Sequence, residues 1–101
     1  MKRRMWLSIG SNVGDRLAYL QSAVTRLSAI GPVRCSHVYE TTPVGVEGQP
    51  DYLNAAIELL SDLSPRELLA LCMEIEAAAG RERIVRWGAR TLDVDIIAIE
   101  G

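Results

Sequence analysis

The seven residues from 91 to 97, TLDVDII, restrict the fold more than any other stretch because they alternate strictly and carry two charges. Alternation of this kind predicts a β-strand, since successive side chains of a strand point to opposite faces. One face would hold Leu92, Val94 and Ile96. The other would hold Asp93, Asp95 and Ile97. An apolar face needs a cover and a carboxylate pair needs water or a cation, so this strand predicts a sheet with one buried and one open face.

Asp93 and Asp95 lie two positions apart on the predicted strand, which places their Cα atoms roughly 6.6 Å apart. Two carboxylates at this spacing can hold one or two hard cations. Mg2+ is the natural candidate, because it prefers oxygen ligands and usually takes only one or two of them from the protein. The structural alternative is a charged edge strand that is protected against pairing with another chain.

The segment from 81 to 90 carries four arginines against one glutamate, in a chain whose net charge is −2. The arginines are Arg81, Arg83, Arg86 and Arg90. Guanidinium groups match the geometry of phosphate oxygens, so the segment predicts a loop that binds polyphosphate. A solvated surface loop would explain the arginines alone. Their position directly before two aspartates favours a joint phosphate and metal site.

The rest of the chain predicts three more strands and two helices. The strands cover residues 5–9, 33–39 and 52–60. The first helix follows a glycine turn at 10–15 and has an apolar stripe of Leu17, Leu20, Val24, Leu27 and Ile30. The second begins with a capping box at 64–67, ends at Gly80, and presents Leu68, Leu69, Leu71, Cys72 and Ile75. Residues 40–51 are predicted to form a loop because they are rich in glycine and proline.

The order β-α-β-β-α-β predicts one α+β domain over residues 1–101 with a ferredoxin-like arrangement, a four-stranded antiparallel sheet with two helices on one face. The helices would cover Leu7, Ile9, Leu53, Ala55, Ile57, Leu92, Val94 and Ile96. The open face would carry Trp6, Ser8, Tyr52, Asn54, Asp93 and Asp95. There the ring of Tyr52 and the amide of Asn54 would suit a flat heterocycle, although an ordinary strand end would also explain both residues.

Cys35 and Cys72 stand apart without the spacing of a metal site, which favours reduced thiols in a cytoplasmic protein. No apolar run approaches the roughly 18 residues that a membrane span needs. The N-terminal apolar stretch is too short for a signal peptide. Positive charge is concentrated in one segment, which argues against a surface that coats nucleic acid.

Four motifs spread over nearly the whole chain are similar to one known family. They are LSIGSNVGDR from Leu7, YETTPVG from Tyr39, QPDYLNAA from Gln49 and IEAAAGRERIVRWGARTLDVDII from Ile75. In their order and spacing they resemble the 6-hydroxymethyl-7,8-dihydropterin pyrophosphokinases of folate biosynthesis. The resemblance implies that pyrophosphate is transferred from ATP to the hydroxymethyl group of the pterin and that AMP is released.

The resemblance also implies roles for the residues that match these motifs. Two Mg2+ ions would be held by Asp93 and Asp95. The catalytic set would be Arg81, Arg83, Arg86, Arg90, Asp93 and Asp95. ATP would be bound by Glu76, Arg83, Arg86, Trp87, Arg90 and Ile96. The pterin would be bound by Gly10, Thr41, Thr42, Val44, Tyr52, Asn54 and Asp93.

Members of this family usually continue for several dozen residues, with a His-Pro-Arg motif, a further arginine and a phenylalanine that stacks on the pterin. This chain ends at Gly101 and contains no phenylalanine. We therefore expect a shortened version that binds Mg2+ and nucleotide, is weak as a catalyst and self-associates through the uncovered sheet face. The alternatives are a non-catalytic nucleotide or pterin binder and an RNA-binding module of the same element order. Asp93 and Asp95 on the open face disfavour RNA.

Overall fold

The computed structural model describes residues 1–42, 50–80 and 91–101, and these form an α+β fold of two helices and five strands. The elements in chain order are β1 (Arg3–Ser11), α1 (Arg16–Ser28), β2 (Val33–Cys35), β3 (Tyr39–Thr41), β4 (Tyr52–Ser61), α2 (Pro65–Ala78) and β5 (Asp93–Ile99). Within the described ranges, neither helix has the length and apolar character that crossing a membrane requires.

The five strands form one antiparallel sheet in the order β2-β4-β1-β5, and β3 also pairs with β4. The two longest strands, β1 and β4, pair along their full length at the centre of the sheet. β5, which carries the two aspartates, lies at one end of this order. The predicted metal ligands are therefore on an outer strand whose single pairing partner in the order is β1.

The sheet has five strands, so the prediction of four strands was wrong, and the difference lies at residues 33–39. The short strands β2 and β3 replace the single predicted strand, and both pair with β4. Ser36 separates them. Its N–H donates to the Ala56 carbonyl at 2.9 Å, and its Oγ accepts the Ala56 N–H at 2.9 Å. A side-chain oxygen thus takes the place of a backbone carbonyl in the ladder, which interrupts the strand.

One hydrophobic core fills the space between both helices and one face of the sheet. Six of the eight side chains predicted to be covered are buried, namely Leu7, Ile9, Ala55, Ile57, Leu92 and Val94. The other two, Leu53 and Ile96, are partly buried and pack against that core. None of the side chains predicted for the open face is buried. The alternation of the sequence therefore predicted correctly which face is covered.

A bulge in β5 keeps apolar side chains on the covered face at the end of this strand. The pairing of β5 with β1 shifts between Trp6 and Leu7, which makes Ile97 an extra residue. Ile97 is 61% exposed, whereas Ile99 packs against the core. Without the bulge, strict alternation would have turned Ile99 outward.

The first helix begins at a cap in which Asp15 Oδ1 accepts the N–H of Ala18 at 3.2 Å. Its predicted apolar stripe was wrong at both ends. The buried residues are Leu20, Ala23 and Leu27, whereas Leu17 is 48% exposed and Ile30 is 41% exposed. Ile30 lies beyond the end of α1, and Leu17 lines an open groove beside the sheet.

The capping box predicted for the start of α2 is confirmed. Ser64 Oγ accepts the N–H of Glu67 at 3.1 Å, and Glu67 Oε1 accepts the N–H of Ser64 at 2.9 Å. The hydrogen bond from the Ser64 backbone, followed by that with its side chain, lowers the pKa of Glu67. Gly80 has a φ of +74° just beyond the helix, where a left-handed residue commonly ends one. The buried residues are Leu68, Cys72 and Ile75, but Leu69 is 52% exposed and does not join the core as predicted.

Candidate active site

Three neighbouring strands bring predicted site residues into one row across the open face. Gly10 on β1 pairs with Asn54 of β4 on one side and with Asp93 of β5 on the other. Paired residues point to the same face of a sheet, and strands lie about 4.8 Å apart. The Asn54 amide and the Asp93 carboxylate therefore project from strands about 10 Å apart, with the backbone of Gly10 between them. One small ligand can reach both groups.

Gly10 is required by the crowding above its Cα atom. A Cβ at this position would lie 2.9 Å from Asn54 Oδ1 and 3.5 Å from Cδ1 of the Tyr52 ring. The absence of a side chain therefore lets the amide and the ring lean over β1. The structure thus brings together three residues predicted to bind the pterin.

The Asn54 amide is held in place by Thr41, a fourth residue predicted to bind the pterin. Asn54 Nδ2 donates to Thr41 Oγ1 at 2.7 Å. Thr41 is the last residue of β3 and pairs with Tyr52 at the start of β4. The hydrogen bond uses one of the two N–H groups of the amide and sets the direction of its carbonyl oxygen.

The remaining predicted contacts to the substrates lie partly outside the described residues. Thr42 is described and is exposed at the end of β3. The residues that fall outside are Val44, Arg81, Arg83, Arg86, Trp87 and Arg90. Their roles in binding pterin, ATP and phosphate stay predictions.

Asp93 and Asp95 occupy successive positions on the open face of β5, as the alternation predicted. Asp93 is half-buried opposite Gly10, and Asp95 is exposed opposite Ser8. Among the described residues, no group of three or more His, Cys, Asp and Glu side chains could hold a metal ion. A cation on this pair would therefore draw its other ligands from outside this set, which is the usual situation for Mg2+ bound with a phosphate substrate.

Glu76 holds β5 against the end of α2. Its Oε2 accepts the backbone N–H of Val94 at 2.8 Å. Negative charge near the C-terminus of a helix is unfavourable unless a hydrogen-bond donor or a cation offsets it. The structure supplies a backbone donor from the residue between the two aspartates. Glu76 therefore helps to fix the position of β5 between the two aspartates, and its contact with ATP stays a prediction.

Two residues near the site face the covered side of the sheet. Ile96 packs against the core, so the structure does not bring its side chain together with the two aspartates. Burial, followed by the charges of Glu76 and Asp95, raises the pKa of the Cys72 thiol to about 11. Cys72 is thus protonated at neutral pH and is unsuited to act as a nucleophile. Cys35 and Cys72 are both free thiols, as predicted.

Sequence reasoning missed the roles of Asn12 and Arg16 in the turn between β1 and α1. The buried Asn12 donates from Nδ2 to the Pro50 carbonyl at 3.3 Å. Arg16 binds Glu40 and the Asp51 carbonyl. These partners lie 24 to 38 positions away along the chain, so no local pattern identifies them. The only available signal was the polar GSNVGDR motif, in which residues 10–15 were predicted to form a glycine turn.

Comparison with known proteins gives a match to one family over residues 6–100, described as 7,8-dihydro-6-hydroxymethylpterin-pyrophosphokinase (HPPK). A 2-amino-4-hydroxy-6-hydroxymethyldihydropteridine pyrophosphokinase of Bacillus subtilis (strain 168) is 46% identical over 100 residues, which cover 96% of this chain and 60% of the relative. The protein of the same name from Methylorubrum extorquens is 45% identical over 101 residues, which cover 97% and 64%. That from Mycobacterium leprae is 49% identical over 96 residues, which cover 94% and 50%.

The chain thus spans between half and two thirds of the length of these three relatives. The family match reaches from the first strand to the end of the last one. It includes every residue of the Asp93–Gly10–Asn54 row. The chain belongs to the 7,8-dihydro-6-hydroxymethylpterin-pyrophosphokinase family.

Proposed function

We propose that this chain performs the ATP-dependent transfer of pyrophosphate to the hydroxymethyl group of 6-hydroxymethyl-7,8-dihydropterin, with release of AMP, in folate biosynthesis. The observation that carries the proposal is the Asp93–Gly10–Asn54 row. The carboxylate of Asp93 and the amide of Asn54 project from the same open sheet face, on strands about 10 Å apart, which supports a cation site within reach of a heterocycle site. A reaction that joins a charged phosphate donor to a flat, neutral acceptor requires both kinds of group side by side.

The pterin would bind on the β3–β4 side of the row. Tyr52 offers an aromatic ring for stacking. The amide of Asn54, oriented by its 2.7 Å hydrogen bond to Thr41, offers a donor and an acceptor to the edge of the heterocycle. Backbone groups of Thr41, Thr42 and Val44 are proposed to complete the pocket, on the strength of the family motif.

Mg2+ would bind on the β5 side, with two ions expected. Asp93 and Asp95 fit this role because they are hard oxygen donors on one face, and Asp95 is open to solvent. When bound, Mg2+ neutralises phosphate charge and aligns the donor with the acceptor. Asp93 also faces the pterin side of the row, which is why we assign it to both substrates.

The nucleotide is proposed to be bound by residues on either side of the two aspartates. The arginines assigned to its phosphates are Arg81, Arg83, Arg86 and Arg90. Glu76, Trp87 and Ile96 are assigned to the remainder of ATP. Two of these groups sit in known surroundings: Glu76 is bound to the Val94 N–H, and Ile96 can offer backbone atoms while its side chain packs inward.

The chemistry proposed here requires no nucleophile from the protein. The oxygen of the substrate hydroxyl forms the new bond to the β-phosphorus of ATP and releases its proton to solvent. The bond between that phosphorus and the bridging oxygen to the α-phosphate breaks, and AMP leaves with the electron pair. Alignment and charge neutralisation then account for most of the catalysis. The raised pKa of the buried Cys72 thiol, about 11, is consistent with the absence of covalent catalysis by this residue.

The proposal is tested by calorimetry followed by a turnover assay on the full chain. A non-hydrolysable ATP analogue with Mg2+ is titrated first, the pterin is then titrated into that complex, and AMP formation is measured with ATP in place of the analogue. Binding of both ligands together with AMP formation is the expected result. Binding without turnover would favour the alternative of a non-catalytic binder. Failure of both ligands to bind would refute the proposal.

Four further points belong to the same proposal. The arrangement is ferredoxin-like, with β2 and β3 together standing for one strand of that fold, and residues 1–101 form a single domain. The free thiols Cys35 and Cys72 favour a cytoplasmic location.

Self-association through the open sheet face is supported by the 61% exposure of Ile97. A monomer in sedimentation at every concentration would contradict self-association.

A further inference from the structure

Arg16, the first residue of α1, makes two polar contacts with a single nitrogen atom. Its Nη1 donates to Glu40 Oε2 at 2.9 Å and to the Asp51 carbonyl oxygen at 2.7 Å. The arginine side chain is 30% exposed, and that of Glu40 is 54% exposed. The contact to the carbonyl is short and charge-assisted, which makes it stronger than an ordinary surface ion pair.

One acceptor of Arg16 lies on β3 and the other directly before β4, each next to a residue of the pterin side of the site. Glu40 precedes Thr41 on β3, and Asp51 precedes Tyr52 on β4. β3 is only three residues long and meets β4 through Tyr39–Asn54, Glu40–Leu53 and Thr41–Tyr52. A strand this short is held weakly by its backbone ladder alone. A cation that binds both strands adds a restraint just where the ladder ends.

Asn12 supports the same junction from the other end of the turn. Its side chain is fully buried, and Nδ2 donates to the Pro50 carbonyl at 3.3 Å. Asn12 in the turn between β1 and α1, and Arg16 at the start of α1, therefore hold the chain at Glu40, Pro50 and Asp51. Asn12 follows Gly10 by two residues, and Tyr52 and Asn54 lean over that glycine. The position of the pterin side is thereby fixed relative to β1, the strand that carries the middle of the row and pairs with β5.

We propose that Arg16 is a positioning residue for the pterin. By joining Glu40 to the Asp51 backbone, it sets the spacing between the Thr41 hydroxyl and the Tyr52 ring. The inference rests on the proposed function, because it takes these residues to be the pterin site. Asp93 and Asp95 lie on β5, across β1 from this junction. Loss of Arg16 should therefore weaken pterin binding and leave Mg2+-nucleotide binding almost unchanged.

The test compares Arg16→Met and Arg16→Lys with the unchanged chain. Arg16→Met keeps the apolar stem and removes both hydrogen bonds, and we expect it to raise the pterin Kd about tenfold. Arg16→Lys keeps the charge, so we expect part of the affinity to return. The Kd of the ATP analogue with Mg2+ should change less than about twofold in both variants. An unchanged pterin Kd in Arg16→Met would overturn the inference.

Arg34→Gln is the matched control. Arg34 also pairs with a glutamate of the sheet, since its Nη1 lies 3.6 Å from Glu58 Oε2, and its side chain is 88% exposed. It lies on β2, away from the row. If Arg34→Gln weakened pterin binding as much as Arg16→Met, the effect would be a general loss of charge or stability, and the inference would be wrong.

A second measurement separates this inference from the proposed function. Backbone amide shifts of Thr41, Tyr52 and Asn54 are recorded by NMR without ligand. We expect them to move in Arg16→Met and to stay in place in Arg34→Gln. If the unchanged chain bound no pterin, the proposed function would be wrong. The amide shifts would still show whether Arg16 positions Thr41, Tyr52 and Asn54. Unmoved shifts in Arg16→Met would reject the role of Arg16 whatever the chain binds. Glu40→Gln provides a second variant, for which we expect smaller changes of the same kind.

Discussion

The two ends of the Asp93–Gly10–Asn54 row are built in different ways. At the Asn54 end, protein groups bind one another: Thr41 orients the amide, and Arg16 joins the two strands behind it. At the Asp93 end, two carboxylates occupy an outer strand, and the described residues include no cluster of three or more side chains that could hold a metal. At the Asn54 end, protein contacts hold the side chains in place before a ligand binds. At the Asp93 end, the proposed ligand would supply the remaining metal contacts.

The difference follows from the chemistry of the proposed substrates. A neutral heterocycle makes few strong contacts, so its affinity depends on side chains that are already in place when it arrives. A polyphosphate with Mg2+ brings both charge and oxygen ligands, so a pair of carboxylates is sufficient on the protein side. Changes at the two ends should therefore affect different ligands and differ in size.

The largest effect is expected at the Asp93 end of the row. Asp95→Asn removes one of the two carboxylates proposed to bind Mg2+, and since metal coordination contributes several kcal/mol to transition-state stabilisation, we expect AMP formation to fall about 100-fold or more. Binding of the Mg2+-ATP analogue should weaken as well, while pterin binding changes little. Calorimetry and an AMP assay measure these effects. The exposed Asp62 lies outside the row, so Asp62→Asn is the control. If the Asp95→Asn variant bound Mg2+-nucleotide as well as the unchanged chain, the Asp93 end would not be the site of the metal and nucleotide.

At the Asn54 end, Gly10→Ala should weaken the binding of the pterin and leave nucleotide binding unchanged. The new Cβ would lie 2.9 Å from Asn54 Oδ1, so the amide must turn away and its hydrogen bond to Thr41 is strained. We expect the pterin Kd to rise about tenfold, with the loss in the free energy of unfolding limited to about 1 kcal/mol because a side chain, not backbone, gives way. Gly101→Ala is the control, since a Cβ there meets nothing within 4 Å. Equal losses of pterin and nucleotide binding would show that the two ends are not independent.

A smaller effect at the same end is expected for Thr41→Val. The change keeps the shape of the side chain and removes the acceptor of the 2.7 Å hydrogen bond from Asn54. A net loss of about 1 kcal/mol corresponds to about fivefold weaker pterin binding, measured by the same titration. Thr25→Val, at an exposed position of α1, controls for the loss of a hydroxyl. If Thr41→Val bound the pterin normally, the orientation of Asn54 would not depend on Thr41.

The last effect concerns stability rather than ligand binding, and it involves the buried thiol of Cys72, whose pKa is raised by burial and in part by the charges of Glu76 and Asp95. Burial comes first among the causes that raise the pKa of this thiol to about 11, and Glu76 and Asp95 contribute to the same direction. Between pH 9 and about 11 the thiol of the unfolded chain ionises while that of the folded chain stays protonated, so the stability of the folded state should fall with rising pH. Below pH 9 the thiol is protonated in both states and adds no pH dependence.

Denaturant unfolding at a series of pH values measures this loss. In Cys72→Ala, the part of the decline due to the thiol should disappear, and the remaining decline reports the other groups that titrate in the range. Added Mg2+ should lower the pKa of Cys72 if the ion binds at Asp95, which thiol alkylation rates can follow. A decline of equal size in both chains would show that Cys72 titrates normally.

Several elements could be predicted because their signals are local. The alternation around Asp93 and Asp95 identified the face on which the carboxylates lie, and the Ser64–Glu67 pair identified the start of α2. The closeness of Gly10, Tyr52 and Asn54 was not visible in any single stretch. It was implied by the family motifs, and the structure brings these residues together. The loop arginines of residues 81–90 stay a prediction from sequence.

Other features escaped prediction because their partners are distant in the chain. The strand predicted at 33–39 is divided by Ser36, whose hydroxyl bonds to Ala56. Leu17 belongs to the apolar stripe of α1, but it lines an open groove between the helix and the sheet and remains exposed. Periodicity reports which side of an element is apolar, and it carries no information on how closely the neighbouring layer packs.

The sequence by itself determined the covered and open faces of β1, β4 and β5, the two helices, and the carboxylate pair, since each depends on a repeat or cap within a few residues. Only the tertiary structure decided that Asn54, Gly10 and Asp93 form one row, that Glu76 supports Val94, and that Arg16 ties β3 to β4. The physical reason is that strand register and hydrogen bonds between distant segments depend on the packing of the whole domain.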